Sequence, residues 1–375
     1  MSTRHGPFSS ALFSDRPVYN TYQEWMRTDG LFPYRDFDFE YPPGALISVW
    51  LVGGDDVQLA QLMLACAVIT QLAVWGISGA RAGWLMVLLP PVAGALVRLH
   101  FDLLPTAMCL VGLYLVVQRP WRTGAVEVGL AVLALGTMTK IWPGAVALVA
   151  ILWLIGRGEV RLAVRATGVF VLIVLVIAAP FVIAGGFPQH LLSYHLDRPV
   201  QLESSAASVI ELVGGSHVTG DPIIHDQFKS NGLDGGAADV IGRLSTLLMI
   251  AVGVVILRLT LRRPSTDALV LSALAITLAF VALGPVLSPQ YLCWLLPLAA
   301  AAAGRRFLLG PALIAVAALV TQLWFPTRYF YLVYQHHLQI AEVAVRNVIL
   351  LLALAATVRA LARSRSPVAA AARTG

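Results

Sequence analysis

Charge is what this sequence has least of. Of its 375 residues only 12% are Asp, Glu, Lys or Arg, while 58% are hydrophobic and the mean hydropathy is +0.78. A soluble domain carries roughly twice that charged fraction, so a soluble class is excluded, and so is the usual division of length into domains. Cysteine is scarce too. Cys66, Cys109 and Cys293 each fall in an apolar stretch and read as small core residues, which excludes a disulfide framework and a paired-cysteine metal site. The chain has no His-x-x-Glu-His, no Walker loop and no dinucleotide glycine pattern. The first twenty residues lack an apolar core behind a basic start, so no signal peptide is expected. The net charge of +6 is spread over short loops and not gathered in one patch, which argues against a nucleic-acid partner.

What is present is a succession of apolar runs, and they predict an all-α polytopic membrane protein. Runs near spanning length lie at 58–76, 83–97, 102–118, 124–139, 142–156, 163–186, 240–258, 268–287, 290–303, 307–325 and 342–360, giving about 11 transmembrane helices. Residues 43–54 read as a further half-buried or interfacial helix. The polar interruptions alternate in kind. One set is short and basic: Arg81; Arg119 and Arg122; Arg157, Arg161 and Arg165; Arg258, Arg262 and Arg263; Arg305 and Arg306; Arg359, Arg363 and Arg365. The positive-inside rule places that set in the cytoplasm. Every interruption of mixed chemistry then falls on the other side. Eleven crossings that end in a cytoplasmic tail leave residues 1–41 outside with no crossing before them, so a twelfth, N-terminal helix upstream of the recorded start is expected, with residues 8–13 as its end. The organisation expected is one integral-membrane domain over 1–375. It comprises a first extracytoplasmic loop with an interfacial helix (1–57), a long extracytoplasmic loop (187–239) and a cytoplasmic tail (361–375).

The polar stretch 14–44 stands out. Asp15, Glu24, Asp29, Asp36, Asp38 and Glu40 place six of the twenty acidic residues there, interleaved with Tyr19, Tyr22, Trp25, Tyr34 and Tyr41. Rings that stack on a sugar face and carboxylates that take hydroxyl protons make the wall of a carbohydrate site; Tyr and Trp resting at lipid headgroups are the alternative. Asp36, Asp38 and Glu40 alternate in RDFDFE, and an extended segment would bring all three to one face. The Asp-x-Asp pattern is too short and common to assign a metal.

Ionisable residues at the ends of spanning helices are costly facing lipid and usually face protein or water. On the mixed-chemistry side these are Arg98, His100 and Asp102 at one hairpin, and Lys140 at another. Arg98, His100 and Asp102 could satisfy one another, and Lys140 could snorkel; a cation on the side poor in basic loops also suits a phosphate. The loop 187–239 adds His195, Arg198, Gln201 and Glu203, a short helix along the membrane near 206–212, and a Gly- and Asp-rich cover over 214–239. Gln290 and Tyr291 follow Ser288-Pro289 at a helix start, where Tyr291 and Trp294 could equally be interfacial, and Arg328 lies in the tyrosine-rich segment 326–341.

In order, these segments are DRPVY at 15–19, PYRDFDFEYPPG at 33–44, HFDLLP at 100–105, Lys140 ahead of Pro143, YHLDRPVQLES at 194–204 and SPQYLCWLLP at 288–297. Together they resemble the glycosyltransferase family 87 polytopic membrane mannosyltransferases, over nearly the whole chain from Asp15 to Arg346-Asn347. The resemblance implies a C-type glycosyltransferase fold and a polyprenyl-phosphate-linked donor of a hexose, mannose in that family. It implies a lipid or glycan acceptor, an active site on the extracytoplasmic face of the cell membrane, and no cofactor or metal. Asp15, the first acidic residue, corresponds to the catalytic base of an inverting transfer. Lys140 and Arg198, with Arg98 or Arg328, would stabilise the leaving phosphate. Tyr19, Asp36, Asp38, Glu40, His100, Asp102, His195, Gln201, Glu203, Gln290 and Tyr291 are the further candidate substrate-binding residues. A transporter or flippase for a lipid-linked sugar is the competing class, although such proteins usually carry internal repeats and midplane polar sites, and neither is visible here.

Overall fold

The computed structural model describes residues 15–52, 56–118, 124–213, 217–219 and 230–364, a few of them, Arg98 among them, by backbone alone. The described chain is almost entirely helical. The amino-terminal segment forms α1 (Arg16–Arg27) and α2 (Ala45–Val52). The bundle then runs through α3 (Asp56–Ser78), the short pieces α4 (Ala80–Leu85), α5 (Leu89–Ala93) and α6 (Leu96–Leu99), α7 (Leu103–Val117), α8 (Ala125–Thr139), α9 (Pro143–Gly156) and α10 (Val160–Ala184). The long loop holds α11 (Gln189–Leu196) and α12 (Ser205–Val213), and the chain finishes with α13 (Gly236–Arg262), α14 (Thr266–Leu283), α15 (Leu292–Gly304), α16 (Leu309–Trp324), α17 (Tyr329–Val333) and α18 (His337–Arg363).

Five of these helices, α10, α13, α14, α18 and residues 57–78 of α3, are long and apolar enough to cross a membrane unaided, and α7, α8, α9 and α16 are shorter apolar helices. With no polar face to turn outward, burial varies sharply from helix to helix. α14 is enclosed on nearly all sides, from Ala268 through Leu283. By contrast α10 exposes Val164, Leu172, Leu175, Val176 and Ile183, and α13 exposes Val240, Leu244, Leu247 and Val254. Water would not tolerate such continuous apolar surface, and lipid does.

Several expected boundaries move. The run 83–97 is not one helix, because Pro90-Pro91 and the left-handed Gly94 break it into α4, a 3-10 turn, α5 and α6. Residues 236–239, expected in the loop, already form the first turn of α13, and 361–363, expected in the tail, complete α18. Within the long loop, Val200–Gln201, His217–Thr219 and Gly232–Asp234 pair as a three-stranded antiparallel sheet with the last strand central, so two of these strands fall within 214–239. The remainder of that segment, the residues proposed as the end of a lost helix, and most of the tail lie outside the described residues.

The basic loops gather at one end of the bundle. Arg157 donates to the Pro264 carbonyl (3.2 Å), Trp153 to Ser265 (2.8 Å) and Arg263 to Ser364 (2.5 Å). Arg305 pairs with Asp267 (2.5 Å) and reaches the Ile77 carbonyl (3.2 Å). At the opposite end the amino-terminal segment packs down through its rings. Tyr19, Tyr22 and Tyr34 are fully buried. Tyr22 stacks on Phe37 and meets Phe39 edge-on, and Tyr34 sits against Phe181 and Phe187, just before and within the long loop. The aromatics expected as an open sugar wall are therefore largely the foundation that fixes the segment. Gly186, at φ +93°, lies where a Cβ would collide with the Tyr34 carbonyl, and at Gly44 a Cβ would come within 2.6 Å of the Met138 carbonyl near the end of α8.

Gly44 is thus the point at which the FEYPPG segment is pressed onto the helix that ends at Lys140. Gly44→Ala is expected to lower stability by about 1–3 kcal/mol through overpacking against unyielding backbone. Thermal unfolding in detergent measures it, and an unchanged midpoint would show that the segment can lift without cost.

Candidate active site

The site lies where four chain reversals meet opposite the basic end. Asp15 precedes α1, whose start is favoured by Pro17 in its first turn. His100, Phe101 and Asp102 form the turn between α6 and α7, and Lys140 that between α8 and α9. Ser288 to Tyr291 lead through a 3-10 turn into α15.

At the centre is a buried ion pair. Lys140 Nζ lies 2.6 Å from Asp102 Oδ1, and the same oxygen accepts the Trp294 indole N–H at 2.6 Å. Around the ammonium stand four rings, with centroids at 5.2 Å (Phe101), 5.3 Å (Trp294) and 5.7 Å (Tyr41 and Tyr291). Tyr291 stacks on Trp294 at 3.9 Å, and Trp294 in turn stacks on Trp142. Trp294 is therefore a buried structural donor and not an interfacial anchor, and Lys140 is held inward and does not snorkel. Burial alone would push the Lys140 ammonium toward deprotonation; Asp102, Tyr291 and Asp15 more than offset it and hold its pKa above the usual lysine value.

Asp15 is the second focus. Its Oδ2 lies 2.6 Å from His100 Nδ1 and accepts the Tyr19 hydroxyl at 3.1 Å. Burial drives this carboxyl upward, but His100, Lys140 and Tyr19 outweigh it and leave its pKa below the ordinary aspartate value. The cluster at 98–102 thus does not satisfy itself: His100 turns to Asp15 and Asp102 to Lys140, while the Arg98 side chain lies outside the described residues.

The long loop closes the third side. Tyr194 donates to Glu40 Oε2 (2.8 Å), and His195 Nε2 lies 3.2 Å from the Glu40 carbonyl oxygen. Burial, then Arg198, pushes the His195 imidazole below its usual value. Arg198 donates to Ser230 (3.1 Å) and lies over the Tyr194 ring, and its charge is felt by both Tyr291 and Glu203. Gln201 bonds Ser288 in both directions (2.9 and 3.2 Å), joining the loop to the start of α15, and Gln290 sits half-buried in the same 3-10 turn. Glu203 is sealed below: its carbonyl accepts from Arg346 (2.8 Å) and Asn347 (3.1 Å), and burial raises its carboxyl to about 7 against the pull of Arg346 and Arg198.

Other candidates are not drawn in. The segment 34–36 is a turn, not an extended strand, with Tyr34 at φ +67° and a bridge from Pro33 to Phe37. Asp36 therefore turns away from the other two, while Asp38 and Glu40 both meet α11, at His190 and Tyr194. Asp36 binds Arg35 (2.7 Å) and the Phe32 amide (2.8 Å), which hold its pKa near about 2, and Asp38 faces His190 at 3.2 Å on the surface. Arg328 is engaged by Glu342 (2.8 Å) and the Leu323 carbonyl. Among the described residues no group of three or more His, Cys, Asp or Glu side chains converges as metal ligands would.

Sequence reasoning reaches Tyr41 only as one ring of a sugar wall, and passes over Phe101 and Trp294 as site residues. A signal was available, since Phe101 lies between two candidates and Trp294 follows Tyr291 by three residues, one helical turn. Arg346, buried at the base of Glu203, carried no local signal beyond being a charge in an apolar run.

No protein-family description matches the chain, and no curated protein does. Among solved structures it is similar to ArnT from Cupriavidus metallidurans bound to undecaprenyl phosphate, at 16% identity and a TM-score of 0.47, over 96% of this chain and 73% of that one. That likeness is too distant to carry an inference about this chain.

The ion pair makes its own prediction. Asp102→Asn leaves the ammonium in an aromatic enclosure with its nearest counter-charge gone, so its pKa should fall, and breaking such a pair typically costs about 3–5 kcal/mol. Lys140 and Lys229 are the chain's two lysines, so acylation by an amine-reactive reagent can be read peptide by peptide. Lys140 should resist modification up to about pH 9 in the wild type and react readily in the variant. Equal reactivity would show that Asp102 does not hold the charge.

Proposed function

We propose that the protein is a membrane glycosyltransferase that moves a hexose, mannose by the resemblance of its motifs, from a polyprenyl-phosphate donor to a lipid or glycan acceptor on the extracytoplasmic face. The observation that carries the reading is that one end of the bundle brings together an ionised, partly open carboxylate and a charge-retaining ammonium ringed by aromatic faces. Group transfer from a lipid phosphate needs both: a base for the incoming hydroxyl and a fixed cation for the outgoing phosphate. The separation of the basic loops to the far end supports placing this site outside.

In this reading the acceptor hydroxyl gives its proton to Asp15 as its oxygen bonds the anomeric carbon from the face opposite the phosphate. The anomeric carbon–oxygen bond to phosphate breaks with its electron pair, the configuration inverts, and the new phosphate charge forms beside Lys140. Arg198, across Tyr291, supplies the second positive field. The ring faces of Tyr41, Tyr291 and Trp294 exclude water from the ammonium and strengthen its attraction for phosphate. Glu40, held by Tyr194, meets sugar hydroxyls in this reading.

The test is transfer of labelled hexose from polyprenyl phosphate by the protein reconstituted in liposomes. Asp15→Asn should lower turnover by about 10²–10⁴-fold while donor binding persists. Lys140→Ala should chiefly weaken donor use, by raising the donor KM or removing saturation. Wild-type membranes that flip the lipid-linked sugar without transferring it would establish the transporter class instead.

A further inference from the structure

The turn that supplies Asp102 also sets a histidine against the proposed base. His100 Nδ1 is 2.6 Å from Asp15 Oδ2 in a close ion-pair contact, its side chain is 6% exposed, and both ring nitrogens are buried with no aligned hydrogen bond among the described residues. A histidine kept for packing usually satisfies both ring nitrogens when buried; here Nδ1 is instead set against a carboxylate. The ring cannot easily turn aside, because Phe101 packs on Tyr19 (5.6 Å) and Tyr41 (5.0 Å), and Asp102 is tied to Lys140 and Trp294.

The contacts on Asp15 are lopsided. Both His100 and the Tyr19 hydroxyl address Oδ2. Oδ1 makes no hydrogen bond among the described residues, although 29% of the side chain is exposed. A carboxylate clamped by one oxygen and open at the other has a fixed direction in which to accept a proton. The remaining charged group that faces it is Lys140, from the turn after α8.

We infer that His100 is a positioning residue for the transfer: it clamps Asp15 through Oδ2 so that Oδ1 meets the acceptor hydroxyl, and does not itself contact the sugar. The inference rests on the reading of Asp15 as base. It carries an electrostatic consequence with a definite sign. Burial raises the Asp15 carboxyl and His100 is the largest influence opposing it, ahead of Lys140 and Tyr19. Without His100 the carboxylate should protonate at higher pH. Since the base must be ionised, the acidic limb of the kcat/KM profile should move upward.

The experiment is the pH profile of transfer by the reconstituted wild type, His100→Gln and His100→Phe. In both variants the acidic limb should rise by about one pH unit or more, the shift typical of losing a close partner that favours the ionised carboxylate, with the donor KM unchanged. On the alkaline side of the limb, His100→Gln, which keeps a donor for Oδ2, should retain turnover to within about tenfold, and His100→Phe should lose more. An unmoved limb, or a raised acceptor KM with kcat intact, would overturn the inference and make His100 a substrate contact. A second readout does not need turnover: modification of Asp15 by a hydrophobic carbodiimide, which attacks the protonated carboxyl, followed by peptide mass spectrometry. Modification should persist to higher pH in His100→Gln than in the wild type, and coincident curves would overturn the inference. A wild type that transfers no sugar refutes the base assignment, while the carbodiimide curves still decide whether His100 governs Asp15.

Discussion

An ammonium cannot stay charged inside an apolar bundle unless protein replaces its water, and that constraint organises this end of the molecule. Lys140 meets it with one carboxylate and four rings. Those groups come from distant parts of the chain: Tyr41 from the first loop, Phe101 and Asp102 from the turn before α7, and Tyr291 and Trp294 from the start of α15. Withdrawing any of them would expose the charge to an unfavourable medium, so the site depends on all of these segments being in place. Helix length adds to this. α7 and α8 have 15 residues each, which gives about 22 Å of rise against a hydrocarbon core of roughly 30 Å, and the turns at their site-side ends carry Asp102 and Lys140.

Charge then spreads outward from the pair in linked steps. Lys140 helps keep Asp15 ionised, Tyr291 lies in the fields of both Lys140 and Arg198, and Arg198 reaches Glu203, where Arg346 and Asn347 anchor the long loop to α18. The loop is thereby fixed on both flanks: at Glu203 below, and at Glu40 through Tyr194 above. Two carboxyls in this small volume are pushed in opposite directions. Asp15 is held down by His100, Lys140 and Tyr19, while Glu203, sealed from water, rises to about 7. Environments that separate like groups in this way give each a different task.

The helical runs and the separation of basic loops from mixed polar ones could be read from the sequence, because hydrophobic length and arginine placement are local quantities. Pro90-Pro91 and Gly94 were equally visible, but an apolar count gives them no weight, and the run they interrupt is broken into short pieces. The positions brought together at the site, among them Asp15, His100, Asp102, Lys140, Arg198 and Tyr291, were legible as polar residues at helix ends. Their pairing was not. Adjacency suggested that His100 and Asp102 answer each other, whereas the turn sends them to different partners. RDFDFE invited an extended reading for all three carboxylates, but the turn at 34–36, with Tyr34 in a left-handed backbone, takes Asp36 out and leaves Asp38 and Glu40 against α11. Such choices are made by tertiary contact, and a linear pattern does not encode them.

The most direct test of this account is an experimental structure of the protein in lipid nanodiscs with a polyprenyl phosphate bound. The account places the phosphate against Lys140 Nζ, within about 2.7–3.2 Å, among the rings of Tyr41, Tyr291 and Trp294, with Asp15 Oδ1 facing the space where the sugar carbon would lie. A phosphate held elsewhere, at Arg328 or at the end that carries Arg157 and Arg305, with Lys140 still bound to Asp102 alone, would contradict it.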